Sequence, residues 1–269
     1  MAKSYNLNYR YPQNQGSSAY PRQAAEICSH LGAGLSAHRL TSVLLIVSIL
    51  GTLTYFLNPK SGLFFLVLSI VMLVLKIIVL QVMAVHLNYT MDQNWKNLAN
   101  TRMAPFTYMV NCQRVWEVLG SQGGFDRKYN AGCNIQVSRK DVQIVDTLPF
   151  PFRVNVKAYA IFLHDLKFVF LPDCVYMIKG TKFKALRYEH LKWSIGTTNF
   201  VESQAPSDSR VVGYTWQYVN KKGGPDRRFS YNPRFCECLY GEFAVNFASQ
   251  RRAKFLLSGT KMVEGMMRL

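Results

Sequence analysis

Acidic residues are scarce in this chain. Fifteen Asp and Glu stand against 32 Lys and Arg in 269 residues, a formal net charge of +17. Residues 38–87 contain no acid at all. Nowhere do carboxylates cluster as a hydrolytic pair or a divalent-metal site requires, since both chemistries need acids that converge on one point. C-x-x-C, H-E-x-x-H and G-x-S-x-G are also missing. Those spacings bring zinc ligands together or lift a serine nucleophile onto a sharp turn. The histidines are His30, His38, His86, His164 and His190. His164-Asp165 and Glu189-His190 are neighbours, but adjacency does not orient an imidazole against a nucleophile. No catalytic residue, metal ligand or cofactor is therefore assigned. Internal repeats and the signatures of RNA-recognition or helix-turn-helix modules are absent too.

The cysteines, Cys28, Cys112, Cys133, Cys174, Cys236 and Cys238, read as structural thiols, because a cytoplasmic domain is reducing. Only Cys236 and Cys238 are close. As C-x-C in a strand they are expected to point to opposite faces, which denies them one tetrahedral metal site.

Long apolar runs are what the chain does have. Leu40–Leu57 is free of charge, and Leu63–Ala84 carries one lysine, Lys76. Roughly 20 apolar residues in a helix span a bilayer core, and neither run has a polar face at helical spacing. Between them, "NPKSG" (Asn58–Gly62) forms a tight turn, so the two runs make an antiparallel hairpin with both chain ends on one side. Arg39 and the basic residues after Ala84 flank that side, and only Lys60 lies in the turn. Basic residues accumulate on the cytoplasmic side, which puts both termini there. Lys76 lies about 12 Å from the inner end at the helical rise. It either snorkels to the headgroups or faces a partner helix or an oligomeric pore.

Four segments follow: a polar tail at 1–37, the transmembrane hairpin at 38–87, a juxtamembrane helical connector at 88–125, and a β-rich cytoplasmic domain at 126–269. Residues 1–22 bury little apolar surface and are expected to stay unstructured. Leu87, Met91, Trp95, Leu98 and Met103 approximate helical spacing, so the second helix is expected to continue until Pro105 breaks it. Beyond Ala131 the period changes to two. "CNIQVSR", "VQIV", "LKFVF", "CVYMIK" and "YGEFAVNFA" read as strands, and "TKMVEGMMRL" as a short helix. The β-rich part is expected to be an antiparallel barrel or sandwich.

The densest motif is "YTWQYVNKKGGPDRRFSYN", Tyr214–Asn232. "RVVGYTWQYVN" and "RRFSYN" are read as the two arms of a hairpin. Two readings of its tip stay open. In one, Asn220, Gly223, Gly224, Pro225 and Asp226 structure a solvated turn: the glycines allow positive φ and Asp226 accepts local hydrogen bonds. In the other, Lys221, Lys222, Arg227 and Arg228, with backbone N–H groups near the glycines, hold a phosphate or carboxylate. A phosphate-binding P-loop needs its glycines before the lysine and a helix after it. Here the order is reversed.

The strand, Pro-Asp turn, strand, glycine turn and strand ending in "YEHL" are similar to the pattern of pleckstrin-homology-like domains in bacterial membrane proteins. "FLPD", "FVESQAPSDSRVVGYTWQYVNKKGGPDRRFSYNPR" and "YGEF" resemble a more specific group, an uncharacterised bacterial membrane-protein family with a TW-x-x-VNK-x-GGPDRRF loop. That resemblance implies a bacterial domain and supplies no catalytic residues; with the hairpin, the expected location is the bacterial inner membrane. The expected role is a membrane-anchored cytoplasmic binding or sensing module. Its partners are the bilayer, anionic lipid headgroups, a protein partner or further copies of the chain. One alternative is a nucleic-acid- or nucleotide-responsive effector that oligomerises through its hairpin; another is a membrane-bound enzyme.

Overall fold

The computed structural model describes residues 2–9, 19–56, 58–247 and 252–266. In chain order the elements are β1 (Lys3–Tyr9), α1 (Ala19–Thr52), α2 (Pro59–Val82), β2 (Val85–Met91), α3 (Gln93–Val110), β3 (Val115–Gly123), β4 (Ile135–Asp141), β5 (Gln143–Val145), β6 (Phe152–Val154), β7 (Tyr159–Phe162), β8 (Lys167–Phe170), β9 (Cys174–Lys179), β10 (Lys182–Arg187), β11 (Leu191–Glu202), β12 (Arg210–Trp216), β13 (Arg234–Phe247), β14 (Arg252–Leu257) and α4 (Lys261–Met266). They form two compact units that interleave along the chain. The first holds Met1–Ala99, Asp146–Ala160 and Leu166–Ala185, and the second holds the rest.

In the first unit β2 lies between β1 and β6, parallel to both. Parallel neighbours need a long crossover, and between β1 and β2 that crossover is the α1–α2 hairpin. β1, and α1 from Ala19, correct the expectation that residues 1–22 are unstructured; of these, residues 1 and 10–18 lie outside the described residues. The local sequence of β1 is polar, but seven residues pair in register with β2, from Lys3↔Val85 to Tyr9↔Met91. Leu7 is buried, and the Tyr5 hydroxyl meets Glu26 and His30. Burial, helped by the Glu26 charge, pushes the Tyr5 phenol up to about 12.

Helices α1 and α2 are 34 and 24 residues long, and both are long and apolar enough to cross a membrane. Asn58 caps α2 by accepting from Lys60 N at 3.0 Å, with Pro59 at the first helical position, where its missing N–H costs nothing. The large apolar side chains point outward, with Leu40 61% and Phe64 63% exposed. Glycines bring the two helices close. A Cβ on Gly62 would lie 2.4 Å from Tyr55 Cα, and one on Gly51 would lie 2.4 Å from the Phe65 ring. The first half of α1 extends beyond the apolar run and buries Ile27 and Leu31. Lys76 is half-buried on α2.

Helix α2 stops at Val82, so the expected continuation to Pro105 is corrected. Val85, Leu87 and Tyr89 are buried on one side of β2, and this period-two pattern, paired on both edges, outweighs the loose helical spacing. Pro105 lies inside α3 and does not end it. The interior proline forfeits one helical hydrogen bond, while Met103, Phe106 and Met109 are buried around it. Farther along the first unit, β8 and β9 form a hairpin through Pro172-Asp173, with Phe170 opposite Val175. The buried Tyr89 hydroxyl donates to Asp173 at 2.7 Å.

The second unit is built on a six-stranded antiparallel sheet in the order β11-β13-β14-β3-β4, with β12 also paired to β13. The expected hairpin between "RVVGYTWQYVN" and "RRFSYN" is corrected: β12 pairs with β13, from Arg210↔Leu239 to Trp216↔Arg234. One sheet face carries Phe243 and Phe255, which meet each other and, through Phe243, Phe106 and Trp193. The other face carries Trp116, Cys238, Tyr240 and Leu256, with Cys236, Val118 and Phe200 packed against them. Cys236 and Cys238 therefore share a face, contrary to expectation, because residues two apart on a strand point the same way.

Candidate functional site

The 217–233 loop is held almost entirely by its own groups. Asn220 accepts from the backbone N–H of Lys222 at 2.8 Å and of Gly224 at 3.1 Å, while Gly223 N donates to Asn220 O. Gly223 takes φ +83°, a left-handed conformation that glycine adopts at little cost. Asp226 is buried. It accepts from Arg228 N and Nε at 3.2 and 3.0 Å, and from Arg228 Nη2 at 2.5 Å. The Arg228 hydrogen bonds hold the Asp226 carboxyl down at about 2. Of the residues expected to hold an anion, Arg228 is thus engaged by Asp226. Lys221, Lys222 and Arg227 are exposed, and the N–H groups of Lys222, Gly223 and Gly224 all donate within the loop. An anion there would meet mobile side chains rather than a backbone cradle.

The loop clamps a second one. Val219 N donates to Lys128 O, Ala131 N donates to Gln217 O, and the Thr215 hydroxyl donates to Ala131 O. Tyr218 stacks on Phe229 with ring centroids 4.0 Å apart, and Tyr129 sits edge-on to both. The motif whose tip the sequence left open between a solvated turn and an anion site also serves as a platform for residues 128–131.

Tyr129–Cys133 form one wall of a basin of about 1000 Å³ on the Trp116–Tyr240 side of the sheet. The sheet curls as a half-barrel about this face. Arg139 on β4 and Glu202 on β11 belong to the two ends of the strand order, yet Arg139 Nη1 lies 2.6 Å from Glu202 Oε1. Tyr240 donates to the same carboxylate oxygen at 3.0 Å. The guanidinium lies over the Trp116 ring, 4.3 Å from its centroid. Burial, followed by the Glu202 charge, raises the Tyr240 phenol well above its ordinary range, so it remains a hydrogen-bond donor. Cys133 also lines the basin. Burial, with the Glu237 charge adding to it, pushes its thiol up, the reverse of what an activated thiolate needs.

Sequence reasoning also missed Glu117. Its carboxylate is buried on β3 and lies 3.0 Å from His164 Nδ1, with Asp165 3.5 Å from the same nitrogen. The His164-Asp165 adjacency was visible in sequence, but the buried partner 47 positions away was not. Among the described residues no group of three or more His, Cys, Asp or Glu could hold a metal ion. Compared with protein-family models, curated proteins and solved structures, the chain matches none.

Proposed function

We propose that this chain is a membrane-anchored binding or sensing module of a bacterial inner membrane, with both termini cytoplasmic and a curled β domain of pleckstrin-homology-like kind facing the anionic leaflet. The observation that carries the reading is the apolar surface of α1 and α2, most of which is exposed away from the seam where the two helices pack on each other. Contiguous exposed surface of that size calls for a cover, and lipid provides one for helices of this length. The excess of 17 positive charges favours anionic headgroups as the contacted partner, at about 1 kcal/mol per well-placed cation.

The test has two arms. The full chain should stay in the membrane pellet after alkaline carbonate extraction. A Lys60→Cys variant, with reactive native cysteines replaced, should label from outside intact cells, while a cysteine at position 3 should not. Release by carbonate, or external labelling at position 3, overturns the anchoring or its orientation. For lipid contact, a fluorophore at Lys222→Cys in nanodiscs should be quenched by spin-labelled phosphatidylglycerol headgroups, and much less by spin-labelled phosphatidylcholine. Equal quenching removes the anionic-lipid reading.

A protein partner is the second reading. β12 pairs with β13 alone among the described strands, and Val211, Val212 and Tyr214 on it are exposed. An exposed apolar edge strand is a template for another chain.

A further inference from the structure

We propose that the basin on the curled sheet is a binding site for a small amphipathic acid, a long-chain acyl anion with its apolar body against the sheet and its head on Arg139 and Lys254. This goes beyond membrane anchoring and does not depend on it, because every residue involved belongs to the second unit.

Three features of the basin select the ligand. The first is size: about 1000 Å³ is at the upper end of small-molecule sites, room for an extended acyl chain. The second is the wall. Val118, Ile135, Val137, Phe200, Phe235 and Leu256 all line it, and Ile135 is 56% exposed to the open basin. An acyl body would remove that surface from water. The third is charge. Arg139 and Lys254 line the basin, and no carboxylate does. Each cation is steadied by an acid outside the lining, Arg139 by Glu202 and Lys254 by Glu242 at 2.9 Å. Such pairing orders two long side chains before a ligand arrives, which lowers the entropy cost of binding. It does not exhaust them, since a guanidinium has five N–H donors and an ammonium three.

The same feature disfavours a nucleic-acid strand. Strand binders combine a cationic groove that follows the backbone with a series of stacking platforms. Here two cations, Arg139 and Lys254, line the basin and make no continuous cationic track, and the apolar wall mixes aliphatic with aromatic side chains. A bound acyl chain would strip water from a carboxylate placed in that wall, so Ile135→Glu tests the site directly. Because Ile135 is exposed, this change also threatens folding least.

The experiment uses a photoreactive fatty acid on the full chain in native membranes, with cross-linked peptides mapped by mass spectrometry. Labelling of α1 and α2 by membrane-dissolved probe is the internal control. The expected result is additional labelling within residues 118–139 or 198–201 that palmitate competes away. Its methyl ester should compete roughly tenfold less well, since losing the charged head forfeits about 1.4 kcal/mol or more. Ile135→Glu should abolish labelling of the basin and leave the hairpin signal unchanged. Lys254→Gln should weaken basin labelling, and Lys254→Arg should restore it. Circular dichroism and thermal melting check that each variant folds. Labelling confined to the hairpin overturns the proposal. Equal competition by acid and ester, basin labelling untouched by Ile135→Glu in a folded protein, or protection by an oligothymidine but not by palmitate would each do so as well.

Discussion

Arg139 and Glu202 sit on strands at opposite ends of the sheet order and are joined by a 2.6 Å ion pair. That contact bridges β4 and β11 across the Trp116–Tyr240 cluster, where the two ends of the curled sheet meet. Both side chains are less than a quarter exposed. Removing one partner leaves the other charge largely buried, which costs roughly 3 kcal/mol. Arg139→Met and Glu202→Leu should each lower the melting temperature of the full chain in detergent by several degrees. The double variant should recover much of the loss, because no unpaired charge remains. Single variants that melt like the wild type would show that the pair adds nothing to the stability of the fold.

Asp226 predicts an acid limit for the 217–233 loop. Its carboxyl is held at about 2 in the folded chain, against 3.8 for an unperturbed aspartate. A group whose folded pKa is depressed binds protons more readily when unfolded. Its stabilising contribution is therefore fully present above pH 3.8 and fades as the pH falls toward 2. The Tyr218–Phe229 stack, followed by near-ultraviolet circular dichroism, should persist down to about pH 4 and weaken below it. Asp226→Ala should remove that dependence and make the loop sensitive to protease at neutral pH. A signal that is flat through the acid range in wild type and variant alike would refute the role.

Lys221 and Lys222 contrast with Arg228. All three side chains are exposed, but Arg228 donates to Asp226; substitution of either lysine to Gln should leave the melting temperature unchanged, as is usual for surface positions. Arg228→Gln should behave like Asp226→Ala in the protease assay. Equal sensitivity of all three arginine and lysine variants would remove the distinction between clamp and surface charge.

Gly62 lets the start of α2 approach Tyr55, in the short 3-10 helix Leu53–Phe56 that follows α1. Thr54 Oγ1 and Ser61 Oγ lie 3.2 Å apart across the turn, so Thr54→Cys with Ser61→Cys should cross-link on mild oxidation. Adding Gly62→Leu drives a side chain into Tyr55, an overpacking cost of about 1–3 kcal/mol, and should lower the cross-linking yield. An unchanged yield would mean that the hairpin tolerates the wider side chain.

Leu7 tests whether the polar N-terminal segment is part of the fold. It is buried at 6% exposure and pairs with Tyr89. Leu7→Ala should destabilise the chain by roughly 2–3 kcal/mol, and removal of residues 2–9 should cost more. Melting curves superimposable on the wild type would show that β1 adds nothing.

The helical hairpin was legible in the sequence because its evidence is local. An apolar run of bilayer length and a second run close behind it can each be read without knowing what lies elsewhere, although the expected turn at Asn58–Gly62 is corrected: Pro59–Gly62 open α2, and Leu53–Phe56 form a short 3-10 helix before it. The same holds for the Pro172-Asp173 and Gly180 turns and for the period-two strands after Ala131, where each residue's alternation repeats that of its neighbours. The "NKKGGPDRRF" loop was found for the same reason, but its task was not. Its glycines, lysines and arginines fit an anion cradle as well as a turn, until Asn220 is seen to take up the N–H groups and Asp226 to take up Arg228.

Tertiary structure decided everything that depends on partners far along the chain. Lys3–Tyr9 is a strand only because Val85–Met91 lies beside it, and its own polar side chains bury too little to order it alone. Pro105 stays within a helix because Met103, Phe106 and Met109 have a core to enter. Arg139 closes the half-barrel on Glu202, and Glu117 reaches His164, through contacts between residues tens of positions apart. A linear pattern carries apolar transfer energy and turn chemistry residue by residue. It does not carry the distance between two charges that only the folded sheet brings together.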